Sequence, residues 1–242
     1  MNGRRAPPPG PALHAVLIDL DGTLMDTVPD LAEAANRMRA DFGLPPLAAS
    51  RIAAFVGKGA DALVHRALTD AIEGRADADR FASGRASFYR HYHAVNGEQA
   101  IVFDAVPAAL ARLRESGLRL ACVTNKPREF TLPLLARVAL AGCFDAVVAG
   151  DDVLEKKPHP ALLLEACRRL GVDSGHTLML GDSVNDALAA AAAGCGCMLV
   201  ETGYNEGEPV SALAGLAGVR GVFATLSLAV DALLRGHARA VA

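Results

Sequence analysis

The sequence has no tryptophan, and aromatic residues make up only 5% of its 242 positions. A hydrophobic core must therefore consist mainly of aliphatic side chains and alanine, which suits helices packed on a buried parallel sheet. The formal net charge is only −3, so the chain lacks the strongly basic character that is typical of nucleic-acid-binding proteins. The composition therefore predicts an α/β protein with no nucleic-acid partner.

Long hydrophobic runs are absent as well. The longest largely apolar stretch without a charge, residues 187–200, is shorter than the ~18 residues that a membrane span needs. Residues 1–11 contain two arginines but no apolar segment of the kind found in signal peptides. We expect these residues to form a disordered arm, and we expect a cytoplasmic protein with no membrane partner.

The five cysteines form no CxxC pair, and their spacing is not typical of a metal site. Their number is odd, and most of them lie within apolar segments. This pattern predicts reduced, mostly buried thiols, as in proteins of a reducing compartment.

Short apolar segments alternate with helical patterns along most of the chain. Strands are predicted at residues 15–18, 118–123, 146–149, 177–180, 198–200 and 219–224. Helices are predicted between them at residues 107–115, 160–170 and 184–193, each closed by a glycine that can end a helix in the left-handed conformation. This alternation predicts a doubly wound, Rossmann-like parallel sheet with helices on its faces.

Residues 28–98 interrupt the alternation because they carry only helical spacing. Helices are predicted there at residues 30–42, 52–55, 60–72 and 79–94. We therefore expect an α/β core of residues 12–27 and 99–242, with a small helical cap, residues 28–98, inserted after the first strand. Tyr92 follows the helical spacing, which favours a place in the core of the cap rather than at a substrate.

Polar side chains follow the predicted strands at the points where the strands end. They are Asp19, Asp21, Thr124, Asn125, Lys157, Asp182 and Asp186. In an open parallel sheet, ligands bind at the carboxyl ends of the strands. A single Asp-Gly turn such as the one after the first strand is also typical of a hairpin, but several such groups at one edge indicate a site.

This set of side chains suits phosphoryl transfer. Carboxylates and water are preferred ligands of Mg²⁺, and an aspartate can itself attack phosphorus and form an aspartyl-phosphate. A lysine ammonium and a threonine hydroxyl can hold the remaining phosphoryl oxygens. A calcium-binding loop of the EF-hand type is disfavoured, because its further oxygen ligands and final glutamate do not follow Asp19.

Four segments, in their order and at their separations, resemble the four motifs of haloacid dehalogenase-superfamily phosphatases. They are DLDGTL at 19–24, VTNK at 123–126, KKP at 156–158 and GDSVND at 181–186. Further segments resemble the phosphoglycolate phosphatases of that superfamily, namely FVGKGADALV at 55–64, GDDVLEKKPHP at 150–160 and GYNEGEP at 203–209. The resemblance implies an Mg²⁺-dependent hydrolase that converts 2-phosphoglycolate to glycolate and phosphate.

The resemblance also implies a role for each carboxylate. Asp19 would be the nucleophile and a ligand of Mg²⁺, and Asp21 would bind Mg²⁺ through its backbone carbonyl. The Asp21 side chain would protonate the leaving alkoxide and then activate the hydrolytic water. Asp182 would be the third protein ligand, and Asp186 would support the ligands from behind.

Phosphate and substrate contacts are implied in the same way. Thr124, with the backbone of Asn125, and Lys157 would bind phosphoryl oxygens. Lys58, in the cap loop with Gly57, would pair with the substrate carboxylate, helped by helix N–H groups of that loop. Two alternatives stay open, since Thr124 could serve as a helix N-cap and Lys58 could be a solvated side chain.

Other functions stay open on the same motifs. A phosphatase for another small phosphorylated metabolite and a sugar-phosphate mutase both need the two acids after the first strand. A non-catalytic metal- or phosphate-binding module is a more remote alternative. Dehalogenases and phosphonoacetaldehyde hydrolases lack the second acid, so Asp21 argues against both. The sequence leaves a monomer and a homodimer equally open.

Overall fold

The computed structural model describes residues 12–241, with side chains as far as His237. The predicted arm at residues 1–11 lies outside the described residues. Eight strands are present in this part of the chain: β1 (Ala15–Ile18), β2 (Met25–Asp26), β3 (Ile101–Val102), β4 (Arg119–Val123), β5 (Ala146–Val148), β6 (Thr177–Gly181), β7 (Gly196–Val200) and β8 (Val219–Phe223).

Nine α-helices accompany the strands within the same residues. They are α1 (Val28–Asp41), α2 (Ala49–Ala53), α3 (Ala60–Thr69), α4 (Ala78–Val95), α5 (Val106–Glu115), α6 (Arg128–Arg137), α7 (Ala161–Leu170), α8 (Val184–Ala193) and α9 (Leu226–Val241). Every helix in this part of the chain is too short or too polar to span a bilayer.

Six strands form one sheet in the order β5-β4-β1-β6-β7-β8, and all of its neighbouring pairs are parallel. β1 pairs with β4 on one side and with β6 on the other. Strands β4 and β5 therefore lie on one side of β1, and strands β6, β7 and β8 lie on the other side. Ligands of open parallel sheets bind at such a switch point, beyond the carboxyl ends of the strands. The predicted fold class is confirmed.

The sheet is covered on both faces, because side chains alternate between the two faces of a strand. Val16 and Ile18 pack in one apolar cluster with α5 and α9, whereas Ala15 and Leu17 pack in another with α7 and α8. All four of these side chains are fully buried. Burial on both faces explains why the strand reads as a continuous apolar run in the sequence.

Helices α1–α4 pack around a third apolar cluster of their own, which includes Phe55, Phe88 and Tyr92. Phe130 of α6 joins this cluster from the α/β core. We call residues 28–98, which contain these four helices, the cap. Because Phe130 belongs to the helix that follows β4, the cap packs directly over one strand end of the sheet.

A short antiparallel ribbon of β2 and β3 connects the cap to the core. The Asp30 carboxylate accepts hydrogen bonds from the backbone N–H groups of Gly97 and Gln99, each at 2.8 Å. These bonds tie the entry of the cap to its exit. The ribbon was not predicted, because two-residue strands carry too little alternation to be read from a sequence.

Two helices of the core were also absent from the sequence-based prediction. Helix α6 contains Pro133 in its interior, and proline normally indicates a helix end. Helix α9 follows the weakest predicted strand. The remaining elements agree with the predicted ones to within a few residues at their ends, as is usual for helix and strand boundaries.

Candidate active site

The loop after β1 brings two acids to the edge of the sheet. Asp19 follows the last residue of β1 directly, and Asp21 lies in the turn that leads to β2. Gly22 in this turn has a φ of +85°, and a Cβ at this position would lie 2.6 Å from the Asp182 carboxylate. Glycine therefore serves two purposes here, since it permits the left-handed turn and the close approach to Asp182.

Three buried carboxylates meet at this point. Asp19, Asp182 and Asp186 each offer an oxygen atom, and these three atoms lie within 4.8 Å of one another. The Asp182 carboxylate accepts hydrogen bonds from the Thr23 hydroxyl and from the Tyr204 backbone N–H, both at 3.0 Å. The ends of β1 and β6 thus place the acids, and neighbouring loops hold their orientation.

Lys157 is the buried counter-charge of this cluster. Its ammonium lies 2.9 Å from Asp19 and 2.7 Å from Asp186, and it donates a third bond to the Val123 carbonyl at 2.9 Å. These contacts use all three ammonium donors. Burial alone would lower the pKa of Lys157, but Asp186 and Asp19 raise it above its usual range, so the side chain carries a charge.

Asp186 is held by its own helix as well as by Lys157. Its carboxylate accepts bonds from the Ser183 hydroxyl at 2.7 Å and from the Ser183 backbone N–H at 3.2 Å. Ser183 is the N-cap residue of α8, as is common for serine before a helix. Asp186 therefore lies behind Asp19 and orients Lys157.

The cluster has more negative than positive groups, so a cation can bind to it. Burial raises the pKa of Asp19 to about 7 against the opposing effect of Lys157. Burial, with the charges of Asp186 and Asp19, raises the pKa of Asp182 well above its ordinary value. Three carboxylates against one ammonium leave two negative charges when all are ionised. A divalent cation with a preference for oxygen ligands fits this site.

A second buried ion pair lies beside the first. The Asp21 carboxylate contacts the Lys126 ammonium at 2.8 Å and accepts a bond from the Thr27 hydroxyl at 2.5 Å. Lys126 also donates to the Tyr92 hydroxyl at 2.8 Å. Burial alone would lower the pKa of Lys126, but Asp21 and Tyr92 raise it above its usual range.

Lys126 and Tyr92 are site residues that the sequence-based analysis missed. Lys126 directly follows Thr124 and Asn125 in the VTNK segment, which was the only signal for it. Tyr92 was interpreted as a core residue of the cap, and it is 1% exposed and stacked on Phe88. That interpretation is incomplete, because Tyr92 also lines the pocket at the strand ends.

Asn125 connects the core to the cap. Its side-chain amide donates to the Gly57 carbonyl at 2.8 Å and to the Lys157 carbonyl at 2.9 Å, and it accepts from the Lys157 N–H at 2.8 Å. Gly59 has a φ of +84°, and a Cβ there would lie 2.8 Å from the Asn125 carbonyl. The cap loop therefore lies directly against the strand-end loops.

The Thr124 hydroxyl is buried at the same edge, where it accepts the Lys126 backbone N–H at 3.1 Å. This bond lies within the turn before α6, whose N-cap residue is Pro127, so Thr124 is not the helix N-cap that is its alternative role in the sequence. The hydroxyl proton is not used in that bond, so Thr124 can also donate to an oxygen in the pocket.

A pocket lies between the cap and the strand ends. From the core it is lined by Asp19, Asp21, Thr124, Asn125, Lys126, Pro127, Asp182, Ser183, Tyr204 and Asn205, and from the cap by Leu31, Val56, Gly57, Gly59, Ala60, Leu63, Phe88 and Tyr92. Among these lining residues of the described chain, Lys126 is the one cation. The cap side is largely apolar, and the core side is polar.

The structure places Lys58 beside Glu206, whereas the sequence predicts that Lys58 pairs with the substrate carboxylate. Its ammonium pairs with Glu206 at 3.2 Å, and its side chain is 40% exposed. Lys58 is not among the described residues that line the pocket. Glu206 also contacts the buried Arg66 of α3 at 2.7 Å. The acid that attracts Lys58 lies far away in the sequence, in the loop after β7, and local reasoning could not identify it.

Comparisons with known proteins give the relatives of this chain. A family model described as haloacid dehalogenase-like hydrolase matches residues 13–194. A plasmid-encoded phosphoglycolate phosphatase of Cupriavidus necator is 49% identical over 191 residues, which cover 78% of this chain and 81% of that protein. A phosphoglycolate phosphatase of Nitrosospira multiformis is 45% identical over 198 residues, which cover 82% and 87% of the two chains.

A solved structure has a similar fold over most of the chain. The crystal structure of a predicted phosphoglycolate phosphatase from Haemophilus somnus superimposes with a TM-score of 0.83 at 30% identity. The match covers 91% of this chain and 98% of that one. The two proteins therefore share the overall fold.

Proposed function

The chain belongs to the haloacid dehalogenase-like hydrolases, and we propose that it hydrolyses a small phosphate monoester, 2-phosphoglycolate, to glycolate and phosphate. The observation that carries this proposal is the meeting of Asp19, Asp182 and Lys157 at the strand ends, under a cap that closes the site. Relatives at 41–49% identity that are phosphoglycolate phosphatases support the choice of substrate.

Asp19 is the nucleophile in this proposal. One of its carboxylate oxygens attacks phosphorus, and the bond from phosphorus to the ester oxygen breaks. Asp21 donates a proton to the departing alkoxide, which leaves as glycolate, and the ion pair of the Asp21 carboxylate with Lys126 corresponds to the state after this transfer. In the second half, Asp21 takes a proton from a water molecule that attacks phosphorus, and the bond to Asp19 breaks, so phosphate is released and both acids return to their initial state.

Other side chains stabilise the charge that develops on the phosphoryl group. Lys157 holds Asp19 in place, and its charge offsets the negative charge of Asp19 and of the phosphoryl group from behind Asp19, while Thr124 and the backbone of Asn125 donate hydrogen bonds to the phosphoryl oxygens. Asp19, Asp182 and the Asp21 backbone carbonyl would hold Mg²⁺, which would neutralise phosphoryl oxygens when bound. Asp186 keeps Lys157 oriented from behind.

The cap excludes water from the site. The apolar side chains of Leu31, Val56 and Leu63 face the pocket, and the bond from Asn125 to Gly57 joins the cap loop to the core. Without the cap, the phosphorylated Asp19 would be exposed to bulk solvent as soon as it forms. The proposed partner is therefore a small-molecule phosphate ester that the closed cap can cover.

The cysteines are compatible with the expected compartment. All five are free thiols, and four of them are buried, as in proteins of a reducing compartment. A cytoplasmic location is part of the proposal.

The substrate is tested by phosphate release from a panel of esters in the presence of Mg²⁺. We expect 2-phosphoglycolate to have the highest kcat/KM in a panel that also contains sugar phosphates and ethyl phosphate. A higher kcat/KM for a sugar phosphate would contradict the choice of substrate. Transfer of the phosphoryl group to a second hydroxyl, without release of phosphate, would indicate a mutase instead.

A further inference from the structure

We propose that Lys126 binds the carboxylate of the substrate, so that the enzyme selects phosphate monoesters with a carboxylate on the leaving group. This inference rests on the proposed phosphatase function and adds the residue that sets its specificity. It replaces the expectation that Lys58 of the cap performs this task.

Lys126 lies beside Asp21, and this position allows it to contact the substituent of the leaving oxygen. Asp21 is the group that exchanges a proton with the leaving oxygen in the proposed reaction, and the Lys126 ammonium lies 2.8 Å from its carboxylate. The substituent on the leaving oxygen must therefore extend past Asp21. In 2-phosphoglycolate one methylene separates the carboxylate from that oxygen, so the carboxylate stays close to Asp21 and to its neighbour Lys126.

The other lysines near the site are less suited to bind the substrate carboxylate. Lys157 is buried behind Asp19, and its three donors are used by Asp19, Asp186 and the Val123 carbonyl. Lys58 pairs with Glu206 outside the lining of the pocket. Among the pocket-lining residues in the described part of the chain, only Lys126 carries a positive charge.

Lys126 also has donor capacity to spare. An ammonium has three donors, and its described contacts are two, with Asp21 and with the Tyr92 hydroxyl. Tyr92 accepts from Lys126, so its own O–H remains able to donate. Lys126 and Tyr92 together can thus offer two donors to the two oxygens of one carboxylate.

Burial makes this contact selective. The Lys126 side chain is 4% exposed, and hydrogen bonds to charged groups are strong where water is excluded. A substrate that lacks the carboxylate would leave the third ammonium donor without a partner in a site from which the cap excludes water. A site that is built to bind a polar group rejects analogues without it by a large factor for this reason.

The test compares two substrates in two variants. Ethyl phosphate is 2-phosphoglycolate with a methyl group in place of the carboxylate. The wild type should prefer 2-phosphoglycolate, and Lys126→Met should reduce the ratio of the two kcat/KM values by about 10- to 100-fold, mainly through a higher KM for 2-phosphoglycolate. Because the ratio cancels any general effect on Asp21, it isolates recognition of the carboxylate.

Several outcomes would overturn the inference. An equal loss with both substrates would assign Lys126 to the positioning of Asp21 alone. A selective loss in Lys58→Met but not in Lys126→Met would return carboxylate recognition to the cap. Thermal unfolding shows whether Lys126→Met folds. If it does not, the same ratio of kcat/KM values is measured in Lys126→Gln, which removes the charge and keeps a donor to Tyr92.

Failure of the proposed function is visible separately in this experiment. If the wild-type enzyme has the same kcat/KM for ethyl phosphate as for 2-phosphoglycolate, the choice of substrate is contradicted before any variant is measured. A wild-type enzyme that prefers 2-phosphoglycolate, with an unchanged ratio in Lys126→Met, would contradict the role of Lys126 and leave the phosphatase function intact.

Discussion

The Lys157 ammonium lies 2.9 Å from the Asp19 carboxylate, and its side chain is only 2% exposed. The same ammonium lies 2.7 Å from Asp186, so one buried cation compensates two buried acids. Removal of one partner from a buried ion pair leaves an uncompensated charge and typically costs about 3–5 kcal/mol.

We therefore expect Lys157→Met to lower the free energy of unfolding by about 3–5 kcal/mol and to abolish phosphate release. Lys156→Met is a matched control, because this neighbouring lysine is only half-buried, and a change of about 0.5 kcal/mol or less is expected. Urea unfolding of both variants measures the difference. Equal stabilities for the two variants would contradict the role of Lys157.

A second prediction concerns the metal. We expect EDTA to abolish activity and Mg²⁺ to restore it, and we expect Mg²⁺ to stabilise the protein by about 2.7 kcal/mol at a hundredfold excess over its Kd. Asp182→Asn should lose most of this stabilisation, since Asp182 contributes one oxygen to the carboxylate cluster. Thermal unfolding with and without Mg²⁺ measures the effect.

Asp79→Asn is the control for this measurement, because Asp79 is an exposed acid in the first turn of α4. It should keep the full Mg²⁺-dependent shift in Tm. The same shift in Asp182→Asn as in the wild type would place the cation elsewhere.

A third prediction concerns closure of the cap. Glu206 of the core contacts Arg66 at 2.7 Å and Lys58 at 3.2 Å, and both partners belong to the cap. Arg66 is otherwise fixed to the carbonyls of Phe55 and Ile72 within the cap. Glu206→Gln should therefore weaken the closed arrangement and raise KM about 5- to 30-fold, which corresponds to about 1–2 kcal/mol.

Glu208→Gln is the control for the closure experiment, because Glu208 lies in the same loop and is exposed. Its KM should stay close to that of the wild type. A normal KM in Glu206→Gln, or an equal rise in both variants, would show that the ion pairs of Glu206 do not favour closure.

A fourth prediction follows from the pKa of Glu165 in α7. Hydrogen bonds from Arg168 and Arg169, at 2.7 Å each, lower the pKa of Glu165 from 4.5 to about 2. A carboxyl with a lowered pKa in the folded state stabilises the protein above its unfolded pKa, and this contribution is lost as the pH falls toward 2. Glu165→Gln should cost about 1 kcal/mol at pH 7.

The cost of Glu165→Gln should decrease between pH 4.5 and pH 2 and vanish at the lower end, where the wild-type carboxyl is protonated. Guanidinium unfolding at several pH values measures this dependence. The same cost at both ends of the range would contradict a charge-dependent contribution.

The core of the site was predictable because it depends on two regular patterns. Buried strands read as short apolar runs, and polar residues at their carboxyl ends meet at one edge of a parallel sheet. Asp19 after β1 and Asp182 after β6 could be identified in this way without knowledge of their contacts. The cap was predictable because residues 28–98 carry the regular apolar spacing of helices.

The contacts between the cap and the core could not be predicted, because they depend on how two separate units pack. Tyr92 has the spacing of a core residue, and nothing in its neighbourhood shows that Lys126 reaches it. Nothing in the sequence around Lys58 indicates that this lysine is paired. The fold brings Glu206, in the loop after β7, to its side chain. Local sequence patterns specify elements and strand ends, whereas pairs across an interface need the three-dimensional structure.

Asp19 is the proposed nucleophile, and phosphate release by Asp19→Asn decides whether it has this role. With 2-phosphoglycolate and Mg²⁺, we expect activity to fall by about a thousandfold or more, since loss of the attacking group removes the reaction path. The variant should fold, because it replaces a buried acid with a neutral side chain of the same shape, and its thermal unfolding should remain cooperative. A folded Asp19→Asn with activity within about tenfold of the wild type would contradict the mechanism.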